Sequence, residues 1–413
     1  MMEFFRLECG FKMYEWGQIG MSSCIARFLA SAQPEVSLYY DKPYAELWMG
    51  VHPSAPSIVQ YSKEFLQNHL EMNQMLLTKS IIDVYGPTLP FLFKILSINK
   101  ALSIQAHPDK KLAQILHDKD PKNYPDANHK PEMAIAITPF EALCGFRPLE
   151  EICEFLESVK VFNELIGNEV ALDFIKHVKT KQNEESNRLM LSTLFKTFIQ
   201  QPKTRVETCA KTLIEFILEN KKTEWGDLIL RLNEQFPLDI GLFCVFLLNY
   251  IQLKPGEGLF LEANTPHAYL SGEIVECMVS SDNVVRIGFT PKYKDANTLV
   301  SMLSYKYGLE SIKKMEGEVF ERSKGEGDIR LFKPPINEFE VMKIFIKKDQ
   351  KHWIDGLKGP SIMICIKGQG EVEVNRNIYE INLGFVYFVG AFVEIKMIGK
   401  SEEWIIYRAF LEI

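Results

Sequence analysis

Long hydrophobic runs and an excess of basic residues are both missing from this sequence of 413 residues. The most continuous apolar run, residues 242–248, is far shorter than the ~20 residues that a helix needs to span a bilayer. The beginning of the sequence contains no apolar block of signal-peptide length. Acidic residues outnumber basic ones by 54 to 47, and the net charge of −7 argues against a broad surface for nucleic-acid phosphates. The sequence therefore predicts a cytoplasmic protein that binds neither a membrane nor a nucleic acid.

Closely spaced cysteines are also missing. The nearest pair among the eight cysteines is Cys144 and Cys153, and no Cys-x-x-Cys motif occurs. This pattern favours reduced, buried thiols over disulfides or a cysteine metal site. A chain of this length buries a core large enough to fold without a crosslink or a metal ion. A bound metal would therefore have a functional role.

The hydrophobic pattern divides the chain into three stretches. Up to about residue 147, short apolar runs are separated by Gly and Pro, as is typical of strands and loops. From about 149 to 235 the apolar residues recur at helical spacing, and after Lys254 short alternating runs return. We predict a mainly β protein with an α-helical insert. The predicted units are residues 1–147 together with 246–324, a helical insert at 148–245, and a last β domain at 325–413 that begins with a linker near 325–335.

Two short motifs bring metal-binding side chains together. Gln105 and His107 are two residues apart, so on a strand they point to the same face. Pro131 favours an extended chain around it, which places Lys130 and Glu132 on a common face. With His267, the set Gln105, His107 and Glu132 suits Zn²⁺ or a similar divalent ion. Spacing alone leaves a second interpretation open, in which the histidines are hydrogen-bonded loop residues and the others lie on the surface.

The remaining histidines and the most unusual arginine are harder to interpret. His69, His117, His177 and His352 have the sequence surroundings of surface residues. Arg286 lies in an apolar run between Val285 and Ile287, where a guanidinium usually has an anionic partner. One interpretation is a structural ion pair with Glu276 or Asp282. The other is a clamp for an anionic ligand or transition state.

Several motifs in a fixed order resolve part of this ambiguity. They are Gln105-Ala-His-Pro-Asp-Lys110, Asn128-His-Lys-Pro-Glu132, Phe140-Glu-Ala-Leu-Cys-Gly-Phe-Arg147, Asn264-Thr-Pro-His-Ala-Tyr269, Ser281-Asp-Asn-Val-Val-Arg286 and Thr290-Pro-Lys292. In this order the sequence resembles the type I mannose-6-phosphate isomerases, also called phosphomannose isomerases. The resemblance extends over nearly the whole chain. It implies two cupin-like β-barrels of the jelly-roll type, the first interrupted by a helical domain and the second without a metal.

The resemblance also implies the residues of the active site. One Zn²⁺ per subunit is expected on Gln105, His107, Glu132 and His267. Arg286 is expected to be catalytic, as a stabiliser of an oxyanion or a phosphate rather than as a base, because its pKa is too high. Glu276 and Lys130 are the candidate bases, since His267 would have one nitrogen on the metal. The candidates for phosphate binding are Lys292 and Arg286 with Lys94, and Trp16, Trp48 and Tyr269 are expected to shape the pocket.

The implied reaction is the interconversion of mannose 6-phosphate and fructose 6-phosphate through an enediol(ate), which feeds mannose and GDP-mannose metabolism. We expect a monomer whose partner is this small phosphosugar. An iron cupin that uses oxygen is an alternative, although that chemistry has no need for the nearby Arg and Lys set. A catalytically inactive cupin that binds a sugar phosphate in a regulatory role is another. Retention of all four metal ligands and Arg286 favours the isomerase.

Overall fold

The structure is a computed structural model that describes residues 3–220 and 223–413. Its first stretch is built mainly of short strands. These strands are β1 (Phe4–Glu8), β2 (Gly10–Lys12), β3 (Gln18–Ile19), β4 (Pro43–Tyr44), β5 (Glu46–Met49), β6 (Ile58–Val59), β7 (Phe91–Ile98), β8 (Ile104–Ala106), β9 (Glu132–Ala136) and β10 (Phe140–Phe146). Four helices lie among them: α1 (Cys24–Ala32), α2 (Leu66–Met72), α3 (Lys79–Tyr85) and α4 (Lys110–Lys119).

The second stretch is helical, as the periodicity predicts. Its helices are α5 (Leu149–Ser158), α6 (Lys160–Ile166), α7 (Asn168–Lys179), α8 (Glu184–Ile199), α9 (Lys203–Glu219), α10 (Glu224–Gln235) and the short α11 (Gly241–Cys244). In α8 the residues spaced at helical intervals, Leu191, Leu194, Phe195 and Phe198, are all fully buried. They share one core with Phe146, Val285 and Ile287 from the neighbouring β region. The insert is therefore packed against the strands that carry the site.

Strands return after the insert. The next elements are β11 (Leu248–Leu253), β12 (Gly258–Leu261), β13 (His267–Val279), β14 (Val285–Gly288), α12 (Ala296–Met302), β15 (Lys313–Met315), β16 (Glu318–Val319), β17 (Ser323–Gly325) and β18 (Asp328–Phe332). The last are β19 (Glu340–Ile346), β20 (Lys351–Ile354), β21 (Ser361–Lys367), β22 (Gly370–Val374), β23 (Asn377–Ile381), β24 (Val386–Val389), β25 (Ile395–Gly399) and β26 (Trp404–Phe410). Strand β18 occupies much of the stretch near 325–335 in which the sequence predicts a linker.

An eleven-stranded sheet holds the residues that the sequence selects. Its main path runs β15-β12-β9-β13-β7-β5-β2, and β8, β10, β11 and β14 attach to it through β13 and one another. The centre is β13, which pairs with β10 and β8 in its first half and with β7 and β9 in its second. Strand β7 is buried along all of its eight residues. A strand covered on both faces this way belongs to the interior of a barrel or sandwich.

The last stretch forms a sandwich of two sheets. One has the order β16-β18-β19-β26-β21-β24-β1-β6 and the other has β17-β20-β25-β22-β23. Their facing side chains share one core that includes Phe4, Met342, Ile395 and Trp404. The predicted fold class, mainly β with a helical insert, is confirmed. The domain boundaries remain a prediction, although β1, which the sequence places in the first domain, is hydrogen-bonded to β24.

Two further expectations can be compared with the described residues. All eight cysteines are buried and unpaired. In the described ranges, no helix combines the length and apolar character that crossing a bilayer requires. Leu242 to Leu248, the longest apolar run, is buried throughout. The run is thus part of the protein core.

Candidate active site and metal centre

Three buried side chains meet at the start of β13. His267 begins that strand, Glu132 begins β9, and His107 directly follows β8. One ligand atom from each lies within 4.8 Å of the others. His107 Nε2 is 3.4 Å from Glu132 Oε1, and His267 Nε2 is 3.6 Å from Glu132 Oε2. Two imidazoles and one carboxylate at these separations have the composition of a divalent metal site.

Backbone carbonyls determine which imidazole nitrogen faces the cluster. The Nδ1 of His107 donates to the Asn283 carbonyl at 2.7 Å, and the Nδ1 of His267 donates to the Thr265 carbonyl at 3.0 Å. Each Nε2 is therefore left with its lone pair directed at the cluster. Burial lowers the pKa of His107 to about 4, which keeps this ring neutral. A neutral imidazole is the form that binds a metal.

The unsatisfied atoms of the cluster fit a cation. His107 Nε2, His267 Nε2 and Glu132 Oε2 are buried without a hydrogen-bond partner in the described structure. Although burial raises the pKa of Glu132, the Lys130 ammonium and the two histidines hold it well below its usual value. An ionised carboxylate and two acceptor nitrogens in one place are costly unless a cation joins them. The donor set thus matches Zn²⁺.

Gln105 and Lys130 flank the cluster. Gln105 lies on β8 directly across from His267 on β13 and from Arg286 on β14. Its side-chain oxygen accepts a hydrogen bond from Ser103 Oγ at 3.3 Å, and the residue lines the same cavity as Glu132. Lys130 Nζ is 3.1 Å from Glu132 Oε1. The structure thus brings all four predicted ligands to one place.

A row of paired side chains crosses three strands beside the cluster. Trp48 on β5, Lys94 on β7 and Glu276 on β13 are direct cross-strand neighbours. The Lys94 ammonium is 3.4 Å from Glu276 Oε2 and 3.7 Å from Glu46 Oε2, and it lies 4.7 Å from the centre of the Trp48 ring. Burial, together with the charge of Glu132, raises the pKa of Glu276 to about 7 despite the opposing effect of Lys94. Lys94 is therefore engaged by two carboxylates.

An irregularity in β13 lets residues of opposite parity face the same cavity. On a regular strand, Tyr269 and Glu276 would point to opposite faces because they are an odd number of residues apart. Both line the cavity. Gly272 lies between them with a φ of +108°, and a Cβ there would lie 2.5 Å from the Pro139 carbonyl oxygen. Glycine at this position therefore permits the change of face.

Arg286 and Lys292 are the basic side chains at the other wall of the cavity. Within residues 3–220 and 223–413, neither lies within 4 Å of a carboxylate oxygen. Glu276 pairs instead with Lys94, and Asp282 lies 3.4 Å from His52 Nε2. Of the two interpretations of Arg286, the structural ion pair with Glu276 or Asp282 is thus wrong. Burial lowers the pKa of both Arg286 and Lys292, as is expected for cations held without a protein anion.

The predicted residues converge on one cavity of about 420 Å³. Its walls include Trp16, Lys94, Gln105, Lys130, Glu132, Tyr269, Glu276, Arg286 and Lys292, and His107 and His267 join Glu132 at its edge. A cavity of this volume suits a small ligand. The sequence did not identify Glu46 and Lys100, which also line it, although a charge inside the apolar run 45–49 was a signal for Glu46. His69 and His352, expected at the surface, are buried.

The fold and the site together define a cupin-type barrel with a His-Glu-His cluster of metal-site composition, beside a cavity where Arg286 and Lys292 have no carboxylate partner among the described residues. Family models for phosphomannose isomerase type I match the chain in its catalytic domain (4–149), its helical insertion domain (165–248) and its C-terminal region (330–376). The chain belongs to the type I phosphomannose isomerase family.

Individual relatives agree with this assignment. The chain is 46% identical to the mannose-6-phosphate isomerase of Candida glabrata, over 99% of each chain. It is 45% identical to the mannose-6-phosphate isomerase of Saccharomyces cerevisiae, over 99% of this chain and 98% of that one. A zinc-bound crystal structure of mannose 6-phosphate isomerase matches with a TM-score of 0.82 at 28% identity, and both chains are fully covered. The apo form from Salmonella typhimurium matches with a TM-score of 0.83 at 28% identity, again over both full chains.

Proposed function

We propose that this chain is a zinc-dependent isomerase that interconverts D-mannose 6-phosphate and D-fructose 6-phosphate. The observation that carries the proposal is the buried His107-Glu132-His267 cluster. Its unpartnered ligand atoms lie beside a cavity where Arg286 and Lys292 have no carboxylate partner among the described residues. Full-length identity of 46% to a mannose-6-phosphate isomerase supports the substrate. The aldose and the ketose differ only in the position of a carbonyl group, so the enzyme must move protons between neighbouring carbons.

The metal would be held by His107, Glu132 and His267, with Gln105 as the fourth ligand. One ion per chain is proposed because the described residues contain a single such group. Bound zinc supplies Lewis-acid polarisation of a substrate oxygen, which lowers the barrier to removal of the adjacent proton. The chain contributes the orientation of its ligands through the carbonyls of Asn283 and Thr265.

Glu276 is the stronger of the two candidate bases. Its carboxylate faces the cavity, and burial raises its pKa to about 7, near the value at which a base is both available and effective. Lys130 Nζ lies 3.1 Å from Glu132 Oε1, so its side chain is engaged by one of the proposed metal ligands. We propose that Glu276 takes the proton from carbon 2 and returns it to carbon 1, while the hydroxyl proton on the carbon 2 oxygen passes to the carbon 1 oxygen. Lys94, bonded to Glu276 and Glu46, orients this carboxylate instead of binding phosphate.

Arg286 and Lys292 are proposed to bind the negative charge of the substrate. Both line the cavity without a carboxylate partner among the described residues, so a phosphate or a developing oxyanion supplies the missing anion. The Lys292 ammonium lies 5.8 Å from the Tyr14 ring centre, at the exposed side of the site. Trp16 and Tyr269 form apolar walls. This division gives the sugar ring and the phosphate different parts of the cavity.

The test is an assay of purified protein with mannose 6-phosphate, in which formation of fructose 6-phosphate is measured with and without zinc. We expect activity to disappear after removal of the metal with a chelator and to return with Zn²⁺. Full activity in verified metal-free protein would refute the zinc dependence. A folded, zinc-loaded protein that binds mannose 6-phosphate without converting it would instead identify the inactive, regulatory alternative.

Two broader proposals accompany this function. We propose a monomer, because all residues of the site come from one chain, and light scattering that shows an obligate oligomer would contradict this. We also propose a cytoplasmic location and a role in supplying mannose 6-phosphate for GDP-mannose synthesis. The eight free, buried thiols support a reducing compartment. Localisation of the tagged full-length chain tests the location.

A further inference from the structure

We infer that Asp126 is a positioning residue that holds two of the three clustered metal ligands in place. The inference rests on the zinc site of the proposed function. Asp126 lies in the loop that leads to Lys130 and Glu132, and it is only partly buried. Its carboxylate accepts four hydrogen bonds. The donors are Asn128 N at 2.9 Å, Ser281 Oγ at 2.8 Å, Asp282 N at 2.8 Å and Asn283 Nδ2 at 3.1 Å.

The first consequence concerns His107. The Asn283 carbonyl accepts the Nδ1 proton of His107, so the position of this peptide group determines which nitrogen of the ring faces the metal. Asn283 is fully buried, and its side chain also donates to the Asp126 carbonyl at 2.6 Å and to the Asn128 carbonyl at 2.9 Å. The loop that carries the acceptor of His107 is therefore tied to Asp126 through its side chain and through the neighbouring Asp282 amide.

The second consequence concerns Glu132. Asn128 precedes Lys130 and Glu132 in the same extended segment, and its amide is bonded to Asp126. Its carbonyl accepts hydrogen bonds from Ser281 Oγ at 3.2 Å and from Asn283 Nδ2. The segment that leads into β9 is thus hydrogen-bonded to residues 281–283 through the Asp126 carboxylate and the Asn128 carbonyl. His267 is held differently, by the Thr265 carbonyl.

This arrangement distinguishes a positioning role from ordinary loop closure. Hydrogen bonds that only close a loop affect the free energy of unfolding. The hydrogen bonds of Asp126 also hold Asn283, whose carbonyl fixes the His107 tautomer. Outer groups that orient metal-binding histidines typically change metal affinity by 10- to 100-fold when they are removed. Loss of Asp126 should therefore weaken zinc binding by roughly this factor.

The experiment compares Asp126→Ala and Asp126→Asn with the unaltered protein. Zn²⁺ affinity is measured by competition with a chelator, and the visible spectrum of Co²⁺-substituted protein reports ligand geometry. We expect zinc affinity to fall about 10- to 100-fold in Asp126→Ala, with a changed cobalt spectrum. Asp126→Asn, which keeps one acceptor oxygen, should recover part of the affinity. NMR of the histidine rings should show partial loss of the Nδ1-protonated form of His107 in Asp126→Ala.

Glu412→Ala is the matched control. Glu412 also uses its carboxylate to join separate segments, through the Lys358 amide and the Arg322 guanidinium, but it lies in the C-terminal sandwich. We expect this variant to lose thermal stability while zinc affinity and the cobalt spectrum stay unchanged. A loss of zinc affinity in Glu412→Ala as large as that in Asp126→Ala would show that general destabilisation is the cause and would overturn the inference.

The inference and the proposed function fail in different ways. Wild-type zinc affinity and cobalt spectrum in folded Asp126→Ala would overturn the positioning role while leaving the isomerase intact. Should that variant fail to fold, Ser281→Ala removes one of the four donors, and an unchanged zinc affinity there would overturn the inference. Absence of zinc binding in the unaltered protein would refute the zinc dependence of the proposed function. The NMR comparison of His107 would then still test the hydrogen-bonded tie in metal-free protein.

Discussion

Replacing Arg286 with methionine should separate activity from stability. The guanidinium lines the cavity without a carboxylate partner in the described chain, and burial lowers its pKa, so burying this charge carries a cost that no protein anion offsets. Methionine has a similar length and no charge. We therefore expect the thermal midpoint of Arg286→Met to stay constant or rise. If Arg286 instead formed a structural ion pair, the same substitution would lower the thermal midpoint.

The expected loss of activity follows from the same geometry. Two unit charges 4 Å apart interact by about 4 kcal/mol at an effective dielectric constant of about 20, the value that suits partly buried sites. An interaction of that size, if made mainly in the transition state, corresponds to roughly a 10³-fold change in rate. Removal of one oxyanion donor in other enzymes costs about 10²- to 10³-fold in turnover. We expect kcat to fall by about this factor.

The assay combines three measurements on the same preparation. Kinetics with mannose 6-phosphate give kcat and KM, a thermal scan gives the midpoint, and mass spectrometry gives the zinc content. Arg286→Lys, which keeps the charge but lacks the planar pair of donors, should recover only part of the rate. A fall of more than about 5 °C in the midpoint of Arg286→Met, which is over 1 kcal/mol for a chain of this size, would refute the reasoning. Loss of bound zinc in that variant would also refute it.

Three further predictions concern stability. The Glu338 carboxylate lies 2.9 Å from His129 Nε2, and this hydrogen bond holds the pKa of Glu338 below the usual 4.5. The bond therefore stabilises the folded state above pH 4.5, and this stabilisation is lost as the pH falls through the lowered pKa. The difference in thermal midpoint between wild type and Glu338→Gln should accordingly close as the pH falls from 6 to 3.5, and a constant difference would contradict this. The Asn249 side-chain amide donates to the carbonyls of residues 144–146, so Asn249→Ala removes a donor that all three share. We expect the free energy of unfolding, measured in urea, to fall by at least about 2 kcal/mol. A fall of less than about 0.5 kcal/mol would argue against this network. Arg408 is fully buried, and only its Nε has a hydrogen-bond partner among the described residues. Arg408→Met should therefore be neutral or should stabilise the protein by roughly 1–3 kcal/mol. A lower unfolding midpoint in this variant would refute the prediction.

Local sequence patterns were sufficient to predict the structural elements that depend only on residues close together in the chain. The helical insert was predictable because its apolar residues repeat at the helical period and bury one face. Asn375 and Arg376 form the turn between β22 and β23, and both residues have the positive φ angles, 50° and 67°, of a two-residue hairpin. The pairing of β1 with β24 was not predictable, since no local signal specifies a partner 385 positions away.

The site shows the same division. Gln105 and His107 were predictable as a pair because residues two apart in an extended chain point to the same face. Their meeting with Glu132 and His267, in contrast, follows from the sheet register. Which carboxylate pairs with which cation was equally inaccessible. Lys94 lies across from Glu276 on the adjacent strand, and this pairing leaves Arg286 without the partner that its own sequence neighbourhood suggested.

The place of β1 in the C-terminal sheet has a consequence for synthesis. Phe4 pairs with Val389, so ribosomal translation must add 385 residues before this strand meets its neighbour. At 5 to 20 residues per second, that interval is roughly 20 to 80 s. During it, Phe4 and Phe5, both buried in the finished fold, belong to a nascent strand without a partner on that side. Such an exposed strand edge is the kind of segment that chaperones bind. It remains unpaired on that side until β24 has left the ribosome.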